Sequence, residues 1–269
     1  MPFCPCENDE PIYYETTGEG PPLLLISGLG GGTWTWSGLI PDFAEHYRVI
    51  TFDNRGAGKS AAPPGPYDVK GFAADALCIL KHLGVERTFV LGLSMGGMIA
   101  QELALLDGRR VRALVLACTH CGGEARVPPA VEVVARLISN DGLTREEIIE
   151  KNIPLFLSEE CRTGHPEVVD AYRRLQLEGP VQPEHAFHAQ LRAIDAFDTC
   201  DRLADIMAPT LLITGTEDML APIENARYIA AHIPGAELVE LQGAGHALHV
   251  ESRKTLLELA HGFFSRYSI

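Results

Sequence analysis

The stretch TFVLGLSMGGM (88–98) decides the fold of this 269-residue chain. Its apolar first half predicts a buried strand, the residues from Met95 onward predict a helix, and Ser94 stands between the two. Gly92 and Gly96 flank the serine, and a sharp strand-to-helix turn needs such small neighbours. The stretch therefore predicts a serine nucleophile raised above a sheet, with the Met95 N–H directed at a developing oxyanion. The alternative is that Ser94 only caps the helix.

Short apolar runs like this one recur along the chain and alternate with helical patterns. They are nearly continuous, which is typical of parallel strands buried on both faces. Strands are predicted at 22–27, 48–53, 88–93, 112–118, 210–214 and 236–241. Helices are predicted at 68–83, 95–106, 223–231 and 252–266. Together with an antiparallel edge near 12–15, the pattern predicts an open, mostly parallel α/β sheet flanked by helices.

One segment breaks this alternation. Residues 122–207 carry no strand pattern, and helical patterns appear there at 129–138, 144–152, 166–177 and 183–194. An insertion of this length is too large for a simple loop. We predict a helical cap, inserted after the strand that ends near Cys118 and lying over the carboxyl ends of the strands, where such sheets bind ligands. The core around the sheet is then predicted to comprise 1–121 and 208–269.

A serine hydroxyl needs a base, and the base needs an orienting acid, before the oxygen can attack a carbonyl. His246 lies in a glycine-rich loop after the predicted 236–241 strand, and Asp218 follows the predicted 210–214 strand. The chain order serine, acid, histidine is that of this architecture. His249 is the rival base and Glu217 the rival acid, and a helix-capping role for His246 stays open.

A second oxyanion donor is predicted in the loop SGLGGG (27–32), where glycines let the backbone approach a bound carbonyl closely. The predicted donor is the Leu29 N–H. Further residues are candidate walls of a substrate pocket, although ordinary core packing would explain each of them as well. These candidates are Trp34, Trp36, His120, Phe156 and Phe187.

The charge balance argues against polyanionic partners. The chain has 22 Lys and Arg against 36 Asp and Glu, a formal net charge of −14, and such a field disfavours binding to nucleic acid or to an anionic membrane surface. MPFCPCENDE (1–10) lacks the basic and apolar regions of a signal peptide, and no apolar run has the length of a membrane span. We therefore expect a cytoplasmic protein that acts on a small molecule. The oligomeric state stays open, a homodimer included.

The seven cysteines are odd in number and scattered along the chain. Without an export signal we expect them to be reduced thiols. CPC (4–6) and CTHC (118–121) each resemble half of a metal site, but neither has a second pair at zinc-site spacing. GAGKS (56–60) resembles the end of a phosphate-binding loop, but Asp53 stands where that pattern requires glycine. We expect no metal ion, no nucleotide and no other cofactor.

Together these motifs make the chain resemble the α/β-hydrolase superfamily over essentially its whole length. The matching pieces are the glycines at 28–32, DNRGAGKS (53–60), GLSMGG (92–97), the Asp218 loop and GAGH (243–246). Within the superfamily the chain is similar to 3-oxoadipate enol-lactonases, aminoacrylate hydrolases and meta-cleavage product hydrolases. The resemblance implies Ser94 as nucleophile, His246 as base, Asp218 as its orienter, and the amides of Leu29 and Met95 as oxyanion donors. One position departs from the pattern, because many relatives carry histidine where this chain has Ser27.

These observations predict a serine hydrolase that cleaves a small ester or lactone through an acyl-enzyme on Ser94. Carbon–carbon bond hydrolysis of a vinylogous diketone by the same triad is the alternative reaction. A slow-turnover ligand receptor on the same scaffold is the alternative outside catalysis. The superfamily does not fix the substrate, and an anionic substrate would need a nearby arginine. The candidates in the predicted cap are Arg126, Arg136, Arg162 and Arg192.

Overall fold

The computed structural model describes residues 2–6 and 10–268, and these residues build one sheet of eight strands with helices on both faces. The strands are β1 (Phe3–Pro5), β2 (Pro11–Thr17), β3 (Pro22–Ile26), β4 (Arg48–Phe52), β5 (Thr88–Leu93), β6 (Val111–Ala117), β7 (Thr210–Gly215) and β8 (Glu237–Leu241). Their order across the sheet is β1-β2-β4-β3-β5-β6-β7-β8. The strands from β3 to β8 pair in parallel, whereas β2 is antiparallel to both β4 and β1. The predicted mostly parallel sheet with an antiparallel edge is confirmed.

The helices of the sheet region agree with the predicted ones to within one residue at each end. They are α1 (Ile40–Ala44), α2 (Val69–His82), α3 (Met95–Leu106), α9 (Ile223–His232), α10 (Leu248–Glu251) and α11 (Arg253–Ser265), of which the short α1 and α10 were not predicted. The start of α2 has a local cause, because the Asp68 carboxylate accepts the N–H of Gly71 at 2.6 Å and so caps the first turn. Among the described residues, no helix combines the length and the hydrophobicity needed to cross a bilayer.

The apolar runs of the strands are continuous because both faces of the sheet are covered. In β3, Leu24 and Ile26 face the layer built by α2, α3 and α9, whereas Leu23 and Leu25 face the layer built by α1 and α11. All four side chains are completely buried. Since successive residues of a strand point to opposite faces, most positions of a doubly covered strand are apolar.

Between β6 and β7 the chain forms α4 (Val131–Ile138), α5 (Arg145–Phe156), α6 (Glu159–Gly164), α7 (Pro166–Glu178) and α8 (Glu184–Asp195). We call residues 122–207 the helical insertion. Three details differ from prediction. The helix α4 begins two residues later than predicted. The helix α5 continues past 152 because Ile153 is buried in an apolar cluster with Tyr172. The helix α6 has Cys161 as its one buried residue and so shows no apolar period, and it begins where Ser158 Oγ accepts the N–H of Cys161 at 3.1 Å.

The two ends of the insertion meet beside β6. Cys121 and Cys200 form a disulfide with their Cα atoms 5.3 Å apart, and Gly122 and Asp198 form an antiparallel bridge next to it. The expectation that all seven cysteines are reduced thiols is therefore wrong for this pair. The sequence hides the pairing because the partners are 79 residues apart, and only the return of the insertion to its starting point brings them together.

We expect the disulfide to stabilise the native protein by about 2–4 kcal/mol, because it closes a long loop in the unfolded chain. Urea unfolding with and without a phosphine reductant measures the difference. The double variant Cys121→Ser/Cys200→Ser is the control, and its stability should not respond to the reductant. Peptide mapping that finds both thiols alkylated in protein purified in air without reductant would contradict the pairing.

Candidate active site

Ser94 occupies a strained turn between β5 and α3. Its backbone angles are φ 58° and ψ −121°, a region that side-chain-bearing residues rarely adopt. Close packing enforces the turn: a Cβ on Gly96 would lie 2.0 Å from the Ile26 carbonyl oxygen, and one on Gly92 would lie 2.2 Å from the Gly96 carbonyl oxygen. The Thr119 hydroxyl donates to the Ser94 carbonyl oxygen at 2.8 Å from the neighbouring β6 side. The Ser94 side chain is half-buried, so its hydroxyl is held at the edge of the sheet yet stays accessible.

Asp218 and His246 are hydrogen-bonded to each other. His246 Nδ1 lies 2.9 Å from Oδ1 and 2.8 Å from Oδ2 of Asp218, and both residues are buried. The same carboxylate accepts the N–H groups of Leu220 and Ala221, each at 2.9 Å. These bonds fix the carboxylate and leave His246 Nδ1 as the donor to it. The rival acid Glu217 has an exposed side chain.

The topology of the sheet explains why these residues gather at one edge. Ser94 follows β5, Asp218 follows β7 and His246 follows β8, and the carboxyl ends of parallel strands lie on the same side of a sheet. The acid and histidine loops are also joined directly. The Glu217 N–H donates to the Ala244 carbonyl oxygen at 2.9 Å. His249 lies in α10 and is buried, and this burial, together with the charge of the nearby His246, lowers the pKa of its imidazole to about 3.

Cys118 is a neighbour of the pair that sequence reasoning did not assign. It follows β6 with a positive φ of 49°, and its Sγ lies within 4.8 Å of ligand atoms of both Asp218 and His246. Burial and then the charge of Asp218 raise the pKa of this thiol well above its usual value. The protonated thiol can therefore donate a hydrogen bond to the Asp218 carboxylate. Its position after a central strand was the only signal in the sequence.

The oxyanion loop (27–32) is tied down by its first residue. Ser27 Oγ donates to the Gly32 carbonyl oxygen at 2.8 Å and accepts the indole N–H of Trp36 at 3.0 Å. The structure thus places Trp36 in the buried core beneath the loop. Leu29 is half-buried at the tip of the loop, and Met95 is the first residue of α3, where a helical N–H has no intrahelical acceptor. At the position where many relatives carry histidine, the serine closes the loop on itself.

Two glutamines of the helical insertion bond to the core here, one of them to the oxyanion loop and the other to the turn at Gly56. The buried Gln190 of α8 accepts the Gly30 N–H at 2.9 Å and donates to the Arg55 carbonyl oxygen at 2.8 Å. Gln182, just before α8, donates to the Gly56 carbonyl oxygen at 3.0 Å. Because Gly30 adjoins Leu29, the insertion positions the loop that carries the predicted oxyanion donor. The sequence offered no signal for these contacts, which depend on the fold of the insertion.

The insertion also contacts the histidine loop. The Phe156 ring lies edge-on to the His246 ring at 5.7 Å between centroids, and the Phe156 carbonyl oxygen accepts the Ala247 N–H at 2.8 Å. Glu251 bridges the two segments, since its carboxylate accepts from Ser158 Oγ at 2.5 Å and from the Gly245 N–H at 3.2 Å. The predicted pocket residue Phe156 is thus placed against the base.

The remaining pocket candidates lie at different depths. Trp34 is half-buried and its indole packs on Gly179 at the end of α7, so it contacts the insertion. Phe187 is half-buried on α8, with its ring 5.6 Å from that of His188. His120 is buried with its ring 6.0 Å from the Phe197 ring. Burial, and then the charge of Arg126, lower the pKa of His120 to about 3.

The family follows from a comparison with known proteins. A family model described as the alpha/beta hydrolase fold matches residues 21–252. The chain belongs to the α/β-hydrolase fold family. The match spans every strand from β3 to β8 together with the helical insertion, and so it includes the Ser94 turn and the loops of Asp218 and His246.

Members of this family that resemble the chain act on several kinds of substrate. A protein of Azorhizobium caulinodans, provisionally named carbamate hydrolase RutD, is 31% identical over 255 residues, which is 95% of each chain. The crystal structure of the enol-lactonase from Burkholderia xenovorans LB400 has a TM-score of 0.85 and 26% identity, covering 98% of this chain and 100% of that one. Est816, described as an N-acyl homoserine lactone degrading enzyme, has a TM-score of 0.83 and 30% identity, covering 97% and 100%.

The buried histidines predict acid sensitivity. The pKa values of His120 and His249 are lowered from 6.5 to about 3, so between these pH values the unfolded chain binds protons that the native protein does not. Stability is then complete above pH 6.5 and falls as the pH drops. From pH 7.5 to 5.5 we expect the free energy of unfolding to fall by about 3 kcal/mol from the two histidines together.

Urea unfolding at the two pH values measures this loss. In His120→Gln the loss should be smaller by about half, since one of the two proton-linked groups is gone. His188→Gln is the matched control, because this histidine is exposed, and it should leave the pH dependence unchanged. An unchanged dependence in His120→Gln would contradict a buried neutral His120.

Proposed function

We propose that the protein is a serine hydrolase that cleaves a small carboxylic ester or lactone through an acyl-enzyme on Ser94. The observation that carries the proposal is the buried hydrogen bond from His246 Nδ1 to the Asp218 carboxylate, at 2.8 and 2.9 Å, on the strand edge that bears the strained Ser94 turn. A base oriented by a buried acid beside an accessible serine is the arrangement that nucleophilic catalysis requires.

In the first half-reaction Ser94 Oγ attacks the substrate carbonyl carbon while its proton passes to His246 Nε2. The negative charge of Asp218 stabilises the resulting imidazolium and keeps the productive tautomer. The N–H groups of Leu29 and Met95 stabilise the oxyanion, and loss of one such donor costs about 3–4 kcal/mol of barrier. The intermediate then expels the alcohol, which takes the proton from His246; in a lactone the alcohol stays tethered to the acyl group.

In the second half-reaction His246 removes a proton from water, and the hydroxide attacks the acyl carbon. The same two amides hold the second oxyanion, and Ser94 Oγ leaves with the proton from His246. Atoms balance as one ester or lactone plus one water giving one acid and one alcohol. No step needs a metal ion or an organic cofactor.

We assign to the helical insertion the role of a cap over this site. Gln190 holds it to the oxyanion loop at Gly30, Gln182 holds it to Gly56, and Phe156 and Glu251 hold it to the histidine loop. These contacts close the site on two sides, so side chains of the insertion, Phe156 among them, select the acyl group. By keeping bulk water out of the site, the cap also strengthens the electrostatic stabilisation of the oxyanion.

Carbamates are the second candidate substrate class. The support is the 31% identity to the Azorhizobium caulinodans protein over 95% of both chains. The same attack by Ser94 gives a carbamoyl-enzyme in place of an acyl-enzyme. The catalytic chemistry is therefore shared, and the substrate pocket determines which of the two classes is cleaved.

A substrate panel tests the function. Initial rates on p-nitrophenyl acetate, butyrate and octanoate, an aliphatic lactone and a p-nitrophenyl carbamate should show turnover of an ester or lactone on the order of 1 per second or faster. Ser94→Ala should lower kcat by about 10⁴-fold or more. Turnover of the carbamate alone would show that carbamates, and not esters or lactones, are the substrate class. Turnover that survives in Ser94→Ala would contradict the nucleophile.

A pair of adjacent variants tests the acid. Asp218→Asn should lower kcat by about 10³–10⁴-fold, because the amide favours the wrong imidazole tautomer and carries no charge to stabilise the imidazolium. Glu217→Gln is the matched control, since the exposed neighbour should change kcat by less than about twofold. Equal losses in the two variants, with both proteins folded by circular dichroism, would overturn the assignment of the acid.

A further inference from the structure

Three cysteines from distant parts of the chain lie together at the sheet edge away from the candidate active site. Cys4 is in β1 and Cys6 follows it, so their side chains leave the same side of an extended segment. Cys78 comes from α2. Cys78 Sγ lies 3.4 Å and Cys6 Sγ lies 3.6 Å from Cys4 Sγ, and all three sulfur atoms are within 4.8 Å of one another. We call these residues the three-thiol cluster.

The spacing of the sulfur atoms suits a bound metal ion better than a disulfide. Thiolates bind Zn²⁺ at about 2.3 Å in tetrahedral geometry, which places two sulfur atoms about 3.8 Å apart. The separations of 3.4 and 3.6 Å reach that value with movements of a few tenths of an ångström. A disulfide would use two of the three thiols and leave the third beside it without a role. All three are free thiols in the structure.

An ion can reach the cluster from solvent. Cys4 and Cys78 line a surface cavity of about 400 Å³, whose wall also includes Lys81 and His82. His82 follows Cys78 by one helical turn and therefore lies on the same face of α2. Water from this cavity, or the His82 imidazole on its wall, can supply the fourth ligand. Three thiolates with a divalent cation carry one net negative charge, which the Lys81 ammonium on the same wall complements.

We propose that Cys4, Cys6 and Cys78 bind one thiophilic divalent cation of the zinc class. The ion ties the N-terminal strand β1 to helix α2. In the sequence, no second cysteine pair follows CPC (4–6) at the spacing of a zinc site. The fold supplies the third ligand from 74 residues beyond Cys4. The site is separate from the serine, acid and histidine of the proposed function and does not depend on that function.

Metal titration of the purified full-length protein tests the proposal. Protein stripped with a chelator should bind one Zn²⁺ per chain, by elemental analysis after desalting, and Cd²⁺ should give one equivalent of thiolate charge-transfer absorption. Cys4→Ser and Cys78→Ser should each weaken binding by about 100-fold or more. Cys161→Ser is the matched control, because it removes a buried free thiol in the helical insertion, and it should retain the full equivalent.

A second group of side chains that could bind a metal ion lies at the candidate active site. There Cys118, Asp218 and His246 also bring ligand atoms within 4.8 Å of one another. The variant Asp218→Asn distinguishes binding at the three-thiol cluster from binding at the candidate active site. The proposal requires that this variant still binds one equivalent of Zn²⁺. Binding that survives in Cys78→Ser but is lost in Asp218→Asn would overturn the proposal, as would no binding by the reduced wild-type protein.

Alkylation of the wild-type protein gives a test that needs no folded variant. Peptide mapping after limited iodoacetamide treatment should show that one equivalent of Zn²⁺ protects Cys4, Cys6 and Cys78 together and leaves the labelling of Cys161 unchanged. Equal labelling of the three cluster thiols with and without Zn²⁺ would contradict the site.

Discussion

The close approach of the Ser94 turn to β3 is the constraint on which the rest of the site depends. A side chain at Gly96 would collide with the Ile26 carbonyl oxygen at 2.0 Å, so the first turn of α3 lies directly against the strand that leads into the oxyanion loop. This contact holds Ser94 at φ 58° and brings the Met95 amide beside the loop of Leu29. The strain of the turn is of order 1–3 kcal/mol, and the doubly covered sheet sustains it.

Three of the contacts that fix the helical insertion to the core bear on the candidate site. The Cys121–Cys200 disulfide closes its root beside β6. Gln190 reaches the oxyanion loop, and Glu251 joins the histidine loop to Ser158. A change in the insertion therefore acts on the oxyanion loop and on the His246 loop through hydrogen bonds, even where it touches neither.

The sequence predicts the sheet and the strand-end residues well because both leave local patterns. Apolar runs such as 22–27 are continuous because both faces of the sheet are covered. Glycines flank Ser94 because larger residues would collide with the neighbouring backbone. The sequence favours Asp218 but leaves Glu217 as a rival, because both follow the same strand and only the fold buries one and exposes the other.

What the sequence could not predict are contacts between segments that are far apart along the chain. The Cys121–Cys200 disulfide and the three-thiol cluster both join residues more than 70 positions apart, and neither spacing matches a local motif. The hydrogen bonds of Gln190 and Glu251 are also contacts of this kind, since their partners depend on how the insertion returns to the core. The helix α6 was missed for a different reason, because Cys161 is its one buried residue and a single position shows no period.

The most direct test of the account is covalent labelling of the serine. Incubation with an aryl phosphonate ester, followed by intact mass and peptide mapping, should show one phosphonyl group per chain on Ser94 and none on Ser94→Ala. Labelling should be much slower in Asp218→Asn, where the base has lost its orienting charge. A folded wild-type protein that forms no adduct, or forms it on another residue, would contradict the claim that this strand edge carries an activated serine.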